Sequence, residues 1–138
     1  MGDEKTYLEL SRLFLKKAKE DLEVAEILLR EKKYADSVYH SQQAAEKSGK
    51  AILLINKIFV AEHRISRFLP KKIGKKVIEY VKDLERHWVK PRYPFIGRDL
   101  IWDPTVEYTK ELAEESLKKA KFVFEKIVKI VKKEGVEV

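Results

Sequence analysis

The sequence predicts an all-α fold, an antiparallel up-and-down bundle of four main helices with no strand. Apolar residues recur at helical spacing through four long segments, which is the pattern of amphipathic helices. Glycine and proline are scarce, at five and four residues, which disfavours the many tight turns of a β-sandwich or barrel. With 138 residues the chain has the size of one domain around one core, so residues 1–138 are expected to form a single helical domain. Longer connections are expected at about 60–70, where a short helical turn near 62–69 is allowed, and at about 89–104.

The first two segments are long and amphipathic. Residues 4–31 carry a heptad-like leucine stripe that begins at Leu8, and residues 33–59 continue with small residues around Gly49. Because glycine costs a helix ~1 kcal/mol against alanine, Gly49 is explained if a neighbouring helix approaches closely there. Near the end of the second segment, apolar side chains point nearly all round the helix axis, at Leu53, Leu54, Ile55 and Ile58. A second copy of the chain is the simplest cover for that surface, so we expect a homodimer.

The last two helices are predicted chiefly from the residues at their ends. The third is predicted over residues 71–88 and begins PKKIGKK, with four lysines near the positive end of its dipole. A bound anion would offset that charge, or the lysines extend into water. The fourth begins at Thr105 or Thr109, with a threonine or Asp103 as its N-cap, and a glycine two residues beyond Lys133 stops it.

The basic charge is concentrated in the middle of the chain. Residues 61–100 hold eleven Lys or Arg and five Asp or Glu, so this segment carries +6 of the net charge of +7. Such a segment attracts phosphate or an acidic partner, unless it is only a solvated lysine-rich face. Lys and Glu dominate the composition, a bias that is common in thermophile proteins.

Composition also excludes several classes of protein. The chain has no cysteine, which excludes disulfides, thiolate metal sites and thiol catalysis and fits a reducing compartment. Apolar runs fall short of the roughly 18 residues that span a bilayer, and alternating charge from Asp3 onward argues against a signal peptide. The three histidines, His40, His63 and His87, lack metal-ligand spacing, and no glycine loop could cradle phosphate. We therefore expect a cytoplasmic protein with no membrane partner, no metal and no cofactor.

The stretch ERHWVKPRYPF, residues 85–95, departs from the lysine- and glutamate-rich helices around it. Arg86 and Arg92 are suited to bidentate contacts with phosphate. The rings of Trp88 and Tyr93 offer planar faces on which a base could stack. In the alternative interpretation, the aromatic residues only cover the core and the prolines only break the helix.

Four motifs follow one another along the chain: DLEVAEILLREKKYADSVYHSQQAAEKSGKAILL, EHRISRFL, RYPF and YTKELAEESLKKAKFVFEKI. In this order and spacing they resemble the HEPN domain family, named for higher eukaryotes and prokaryotes nucleotide-binding. The resemblance covers nearly the whole chain, from about Leu8 to Val131. Its most specific pieces are QQAAEKSGKAIL after a Tyr-Ala-Asp turn and the Arg-Tyr-Pro triplet before the last helix, which matches an archaeal and bacterial subgroup.

The resemblance implies a fold and a class of function. Members of the family are antiparallel α-bundles and often homodimers. Many are encoded beside a minimal nucleotidyltransferase and act with it as a two-component toxin–antitoxin module. Catalytic members are metal-independent ribonucleases, in which an Arg is followed after four to six residues by a His that acts at the ribose 2′-hydroxyl.

This sequence departs from the ribonuclease pattern. The positions where that His would follow Arg92 hold glycine, arginine and aspartate, so Arg92 could work only with His87 or His63 in a different geometry. Four polar residues match the family's motif on the second helix, at Gln43, Glu46, Lys47 and Lys50. The match implies a polar cluster against the Arg-Tyr-Pro loop, a dimer contact or a nucleotide site.

Three hypotheses for the function follow. The first is a HEPN domain that binds nucleotide or RNA through Arg92, Tyr93, Trp88, Arg86 and the second-helix residues, paired with a nucleotidyltransferase. The second is a metal-independent ribonuclease that uses Arg92 with His87 or His63. The third is a non-enzymatic interaction module that docks a partner protein on the apolar end of the second helix.

Overall fold

The computed structural model describes residues 3–138 and confirms the all-α fold. Its helices are α1 (Glu4–Arg30), α2 (Tyr34–Ile55), α3 (Lys75–Glu85), α4 (Pro104–Glu107) and α5 (Lys110–Lys133). Single 3-10 turns lie at Ser66–Phe68, within the range 62–69 where the sequence allows a short helical turn, and at Lys71–Ile73, where it predicts the start of the third helix. Four of the five helices are long, and they form the bundle. In this described part of the chain, no helix has the length and apolar character needed to cross a membrane.

The expectation that the chain has no strand is wrong in one place. Phe95–Ile96 (β1) and Ile101–Trp102 (β2) form a minimal antiparallel hairpin, in which Phe95 lies opposite Trp102. Its turn is closed by the Gly97 N–H, which donates to the Leu100 carbonyl at 2.7 Å. Strands of two residues are too short to show an alternating pattern, so periodicity could not predict them.

The third helix is shorter than expected. It begins at Lys75 because Gly74 has φ +111°, a conformation that an α-helix cannot include. The preceding lysines therefore belong to a separate turn. The helix ends at Glu85, so the aromatic and basic residues that follow lie in a turn rather than on a helix face.

The candidate N-caps of the predicted fourth helix are both used as caps in the structure. Asp103 caps α4 by accepting from the Thr105 N–H at 3.0 Å, and Thr109 caps α5 by accepting from the Leu112 N–H at 3.2 Å. Gly135 ends α5 in a left-handed conformation with φ +93°. The sequence predicts a single helix here, whereas the structure has two, the short α4 capped by Asp103 and the long α5 capped by Thr109.

Helix α2 lies at the centre of the bundle, in contact with α1, α3 and α5. Small polar residues allow its close approach to α1: the Ser11 hydroxyl donates to the Ala51 carbonyl, and the Ser37 hydroxyl to the Ala25 carbonyl, both at 2.8 Å. Leu53 and Leu54 at its end are buried within the chain itself. These two need no second copy as cover, whereas Ile58 just beyond the helix is 44% exposed. The homodimer stays a prediction.

The neighbour that approaches Gly49 is not a helix, as was expected, but the connection after α2. A Cβ at Gly49 would overlap Cδ1 of the fully buried Ile65, with Leu69 Cδ2 at 3.5 Å. This connection turns back along α2 and covers its polar face, which positions the site described next.

Candidate nucleotide site

The polar face of α2 is built around two buried carboxylates. Glu46 is only 5% exposed, and three groups contact its oxygens. The Gln42 amide donates to Oε1 at 2.9 Å, while His63 Nδ1 and Lys50 Nζ lie 3.1 and 3.2 Å from Oε2. A carboxylate with this many partners is fixed in position and holds the imidazole of His63 in one orientation.

Asp21 of α1 supplies the second carboxylate. It is 3% exposed, and His40 Nδ1 and Lys47 Nζ lie 3.1 and 2.7 Å from its oxygens. Burial by itself would raise the pKa of Asp21, but the hydrogen bonds from His40 and Lys47 and the charge of Lys47 outweigh it and lower the pKa. Asp21 is therefore held ionised at neutral pH.

A line of amides connects the two carboxylates. Lys47 Nζ also donates to Gln43 Oε1 at 3.0 Å, and the Gln43 amide donates to Gln42 Oε1 at 2.7 Å. Gln42 in turn donates to Glu46. The residues that match the second-helix motif thus form one hydrogen-bonded network, which is largely covered rather than solvated.

Arg92 lies over this face from the loop after α3. Its Nε donates to the Trp88 carbonyl at 2.8 Å, and its guanidinium carbon lies 4.7, 5.0 and 5.4 Å from the ring centroids of Tyr39, Trp88 and Tyr93. Within residues 3–138 its terminal nitrogens make no hydrogen bond. These cation–π contacts and the bond from Nε hold the guanidinium in place and leave its terminal N–H donors for an anion such as phosphate.

Trp88 contacts both His63 and Arg92. The imidazole of His63 stacks on its indole, with ring centroids 4.0 Å apart and planes inclined by 22°. The same indole is in contact with the Arg92 guanidinium. His63 and Arg92, which lie 29 positions apart in the sequence, are therefore brought against one ring.

An open cleft of about 350 Å³ lies beside this ring. Its cationic and aromatic lining residues are His63, Arg64, Arg86, Trp88, Lys90 and Phe95. Positive charge beside planar rings is the combination that holds a phosphate and stacks a base. The cleft contains part of the basic segment that the charge distribution singled out.

The structure separates the two histidines that the sequence left as alternatives. His87 is 6% exposed, and its Nδ1 lies 2.8 Å from the hydroxyl of Tyr108, while Arg86 Nε donates to its Nε2 at 3.2 Å. Because Nε2 accepts, the proton of the neutral ring is on Nδ1. Burial, and then the charges of Arg86, Lys90 and Lys119, lower the pKa of His87 to about 4. His87 is thus a buried, neutral residue that is hydrogen-bonded to Tyr108. Burial also raises the pKa of Tyr108.

The predicted residues therefore divide into three groups. Arg92, Trp88, Tyr93, His63 and the second-helix residues come together, Arg86 lines the adjoining cleft while also bonding His87, and His87 itself turns away into the core. Sequence reasoning missed Asp21, His40 and Tyr39. A signal existed for Asp21, since it adjoins the apolar stripe of α1 where a charge needs a partner. Among the described residues, no group of three or more His, Cys, Asp or Glu is placed to hold a metal ion.

The chain belongs to the HEPN domain family, whose model matches residues 11–131. A curated relative from Methanocaldococcus jannaschii, "Putative toxin MJ1304", is 42% identical over 144 residues, covering 96% of this chain and 95% of the relative. Two solved structures are similar in fold. TT1696 from Thermus thermophilus has a TM-score of 0.76 and 26% identity, covering 86% of this chain and 96% of that one. ST0689, an archaeal HEPN homologue, has a TM-score of 0.74 and 25% identity, covering 88% and 97%.

Proposed function

We propose that this chain is the toxin-like component of a two-component module and binds nucleotide or RNA at the cleft beside Trp88. The observation that carries the proposal is the Arg92 guanidinium, held in cation–π contact with Trp88 beside a cleft with three further cations. A phosphate would bind the free guanidinium nitrogens, and a base would stack against the cleft wall. Such ligands belong to the cytoplasm, where we place the protein.

Binding is tested by titrating labelled single-stranded RNA and nucleoside phosphates over a range of salt concentrations. Wild-type affinity should fall steeply as salt rises, because phosphate contacts release counterions. Arg92→Ala should weaken binding roughly tenfold or more. Arg67→Ala is the matched control, because Arg67 is an exposed arginine of the same basic segment that pairs with Glu62. Equal affinity of the Arg92→Ala variant and wild type would reject the site.

The partner we propose is a minimal nucleotidyltransferase encoded beside this chain. Support comes from the family and from the toxin designation of the Methanocaldococcus relative. Co-expression of the two proteins should yield a complex that survives size-exclusion chromatography, and the partner should relieve any growth defect that the chain causes. If the two proteins elute separately, the module is rejected and the binding site is not.

A metal-independent ribonuclease is the second candidate, favoured by the placement of His63. Its Nδ1 faces the buried Glu46 carboxylate, so Nε2 is left to exchange protons, and Trp88 sets it beside Arg92. His63 would take the proton of a ribose 2′-hydroxyl, whose oxygen attacks phosphorus to form a 2′,3′-cyclic phosphate, while the 5′-oxygen leaves and takes a proton from water. Arg92 would stabilise the charge on the phosphate.

Incubation with RNA in EDTA tests this candidate. His63→Ala should lower the cleavage rate about 100-fold or more, whereas His87→Gln, if folded by circular dichroism, should cleave like wild type. Undiminished cleavage by His63→Ala would exclude the mechanism. If wild type binds RNA without cleaving it, the ribonuclease candidate is rejected and the binding proposal stands.

A further inference from the structure

A second open cleft, the hairpin cleft, adjoins the cleft beside Trp88. It has a volume of about 590 Å³ and lies against the β1–β2 hairpin. Lys90 and Phe95 line both clefts and form the wall between them. A single ligand that crosses this wall would therefore occupy both clefts at once.

The hairpin cleft is lined chiefly by apolar side chains, those of Phe95, Leu100, Ile101 and Trp102. Leu100 and Ile101 are each 75% exposed. Single exposed apolar residues are ordinary on a protein surface, but neighbouring ones that line one cleft mark a surface that binds something. An apolar group of a ligand would cover them and remove their surface from water, which is favourable.

The aromatic rings of the hairpin cleft are already engaged. Phe95 and Trp102 stack on one another, with ring centroids 5.8 Å apart and planes inclined by 22°. The ammonium of Lys90 lies 5.6 Å from the centroid of the Trp102 ring, and the Trp102 indole N–H donates to the Lys90 carbonyl at 2.8 Å. A base needs an open ring face on which to stack. Since the open surface here is that of the two aliphatic side chains, the cleft fits an aliphatic group better than a second base.

Lys90 places a positive charge at the boundary between the two clefts. Its ammonium, beside the Trp102 ring, is a second cation near the cleft beside Trp88, in addition to the Arg92 guanidinium. A lysine ammonium binds phosphate as a point charge. A phosphate at this boundary would have its nucleoside on the Trp88 side and any further substituent on the hairpin side.

We propose that the hairpin cleft binds an aliphatic group carried on the phosphate of the nucleotide that occupies the cleft beside Trp88. The ligand class is a nucleoside phosphate with an alkyl or acyl substituent on a phosphate oxygen. This inference rests on the proposed nucleotide site and adds a specificity to it. The cleft beside Trp88 recognises the nucleotide, and the hairpin cleft distinguishes an aliphatic nucleotide ester from a plain one.

Isothermal titration calorimetry tests the specificity with three adenosine 5′-phosphate diesters, which carry the same single negative charge at neutral pH. They are the methyl ester, the hexyl ester and the dinucleotide ApA. The hexyl ester should bind about tenfold more tightly than the methyl ester, because its extra methylene groups are removed from water. Equal affinities for these two esters would overturn the inference and leave the nucleotide site standing. If no adenosine phosphate binds, the nucleotide site is rejected and the inference with it.

The dinucleotide and a pair of variants test what the hairpin cleft accepts. ApA should bind less tightly than the hexyl ester, and an equal or higher affinity would assign the cleft to a second nucleotide and overturn the proposal. Leu100→Ser/Ile101→Ser should bring the methyl and hexyl esters to nearly equal affinity. The control Leu13→Ser/Ile27→Ser removes two exposed aliphatic side chains of α1, which are 42% and 49% exposed, and should keep the tenfold difference.

Two further outcomes with the Leu100→Ser/Ile101→Ser variant would also overturn the proposal. One is a tenfold preference for the hexyl ester that survives in this variant, with its fold verified by circular dichroism. The other is a change in its oligomeric state by analytical ultracentrifugation, or loss of a complex with the nucleotidyltransferase, since either would assign the hairpin cleft to a protein contact.

Discussion

The imidazole of His63 lies nearly parallel to the indole of Trp88, with ring centroids 4.0 Å apart. His63 belongs to the connection after α2 and Trp88 to the turn after α3, so this stack closes two connections over the polar face of α2. At the edge of the same ring, Nδ1 of His63 lies 3.1 Å from the buried carboxylate of Glu46. The connection that carries His63 is thus held by both Trp88 and Glu46. A substitution at either residue should therefore affect the position of His63.

Glu46→Gln should lower the free energy of unfolding by about 1–3 kcal/mol, because Lys50 would lose its buried counter-ion and His63 an acceptor. Urea denaturation measures the change. Glu62→Gln is the control, since Glu62 forms an exposed pair with Arg67 and its loss should stay within about 0.5 kcal/mol. If both variants unfold alike, the network does not stabilise the fold.

Local patterns predict most of the fold but not the way the connections close over α2. The long helices, the Thr109 cap and the glycine stop follow from periodicity and side-chain chemistry that act within a few residues. The end of α3 does not, because the chain leaves the helix where His87 turns in to meet Tyr108, 21 positions further on. That contact is tertiary, so the spacing of apolar residues along the sequence does not predict it.

For the candidate site too, local patterns predict the residues on one helix but not the contacts between connections. Motif residues on α2 could be named from the sequence, because one helix face carries them. Which histidine joins Arg92 could not, since His87 is closer in the chain while His63 is brought to the same ring by a connection of about ten residues. Asp21 and His40 were missed because their pairing requires the register of α1 against α2.

Because His87 is buried in its neutral form against Tyr108, the protein should be less stable in mild acid. The pKa of His87 is lowered to about 4 in the folded chain and is about 6.5 when unfolded, so only the unfolded state binds a proton between these values. Stability from this group is present above pH 6.5 and is lost as the pH falls towards 4, by on the order of 3 kcal/mol. Urea unfolding of wild type and His87→Gln at several pH values measures the difference.

His87→Gln should show a smaller loss than wild type between pH 6.5 and 4, and the two slopes should agree above pH 7. Acidic groups such as Asp21 contribute to both proteins and cancel in the comparison. Parallel curves across the whole range would mean that His87 titrates normally in the folded chain.

Gly49→Ala should destabilise the protein although alanine is the better helix former. The favourable propensity is ~1 kcal/mol, while the new methyl group would overlap Cδ1 of the fully buried Ile65, a kind of overpacking that costs about 1–3 kcal/mol. Ile65→Val removes that atom. The double variant Gly49→Ala/Ile65→Val should therefore unfold at a higher urea concentration than the two single effects predict when added. Strict additivity would mean that Ile65 does not constrain Gly49.

Arg92→Lys separates the charge of Arg92 from its geometry. Lysine keeps the charge but loses the Nε–H bond to the Trp88 carbonyl and the contacts of the planar guanidinium with the rings of Tyr39, Trp88 and Tyr93. RNA affinity should fall severalfold, while the slope of log affinity against log salt stays close to wild type, because the number of phosphates neutralised is unchanged. Arg92→Ala should instead reduce that slope by about one. If the lysine variant binds as tightly as wild type, the planar guanidinium has no part in recognition and Arg92 acts only as a point charge.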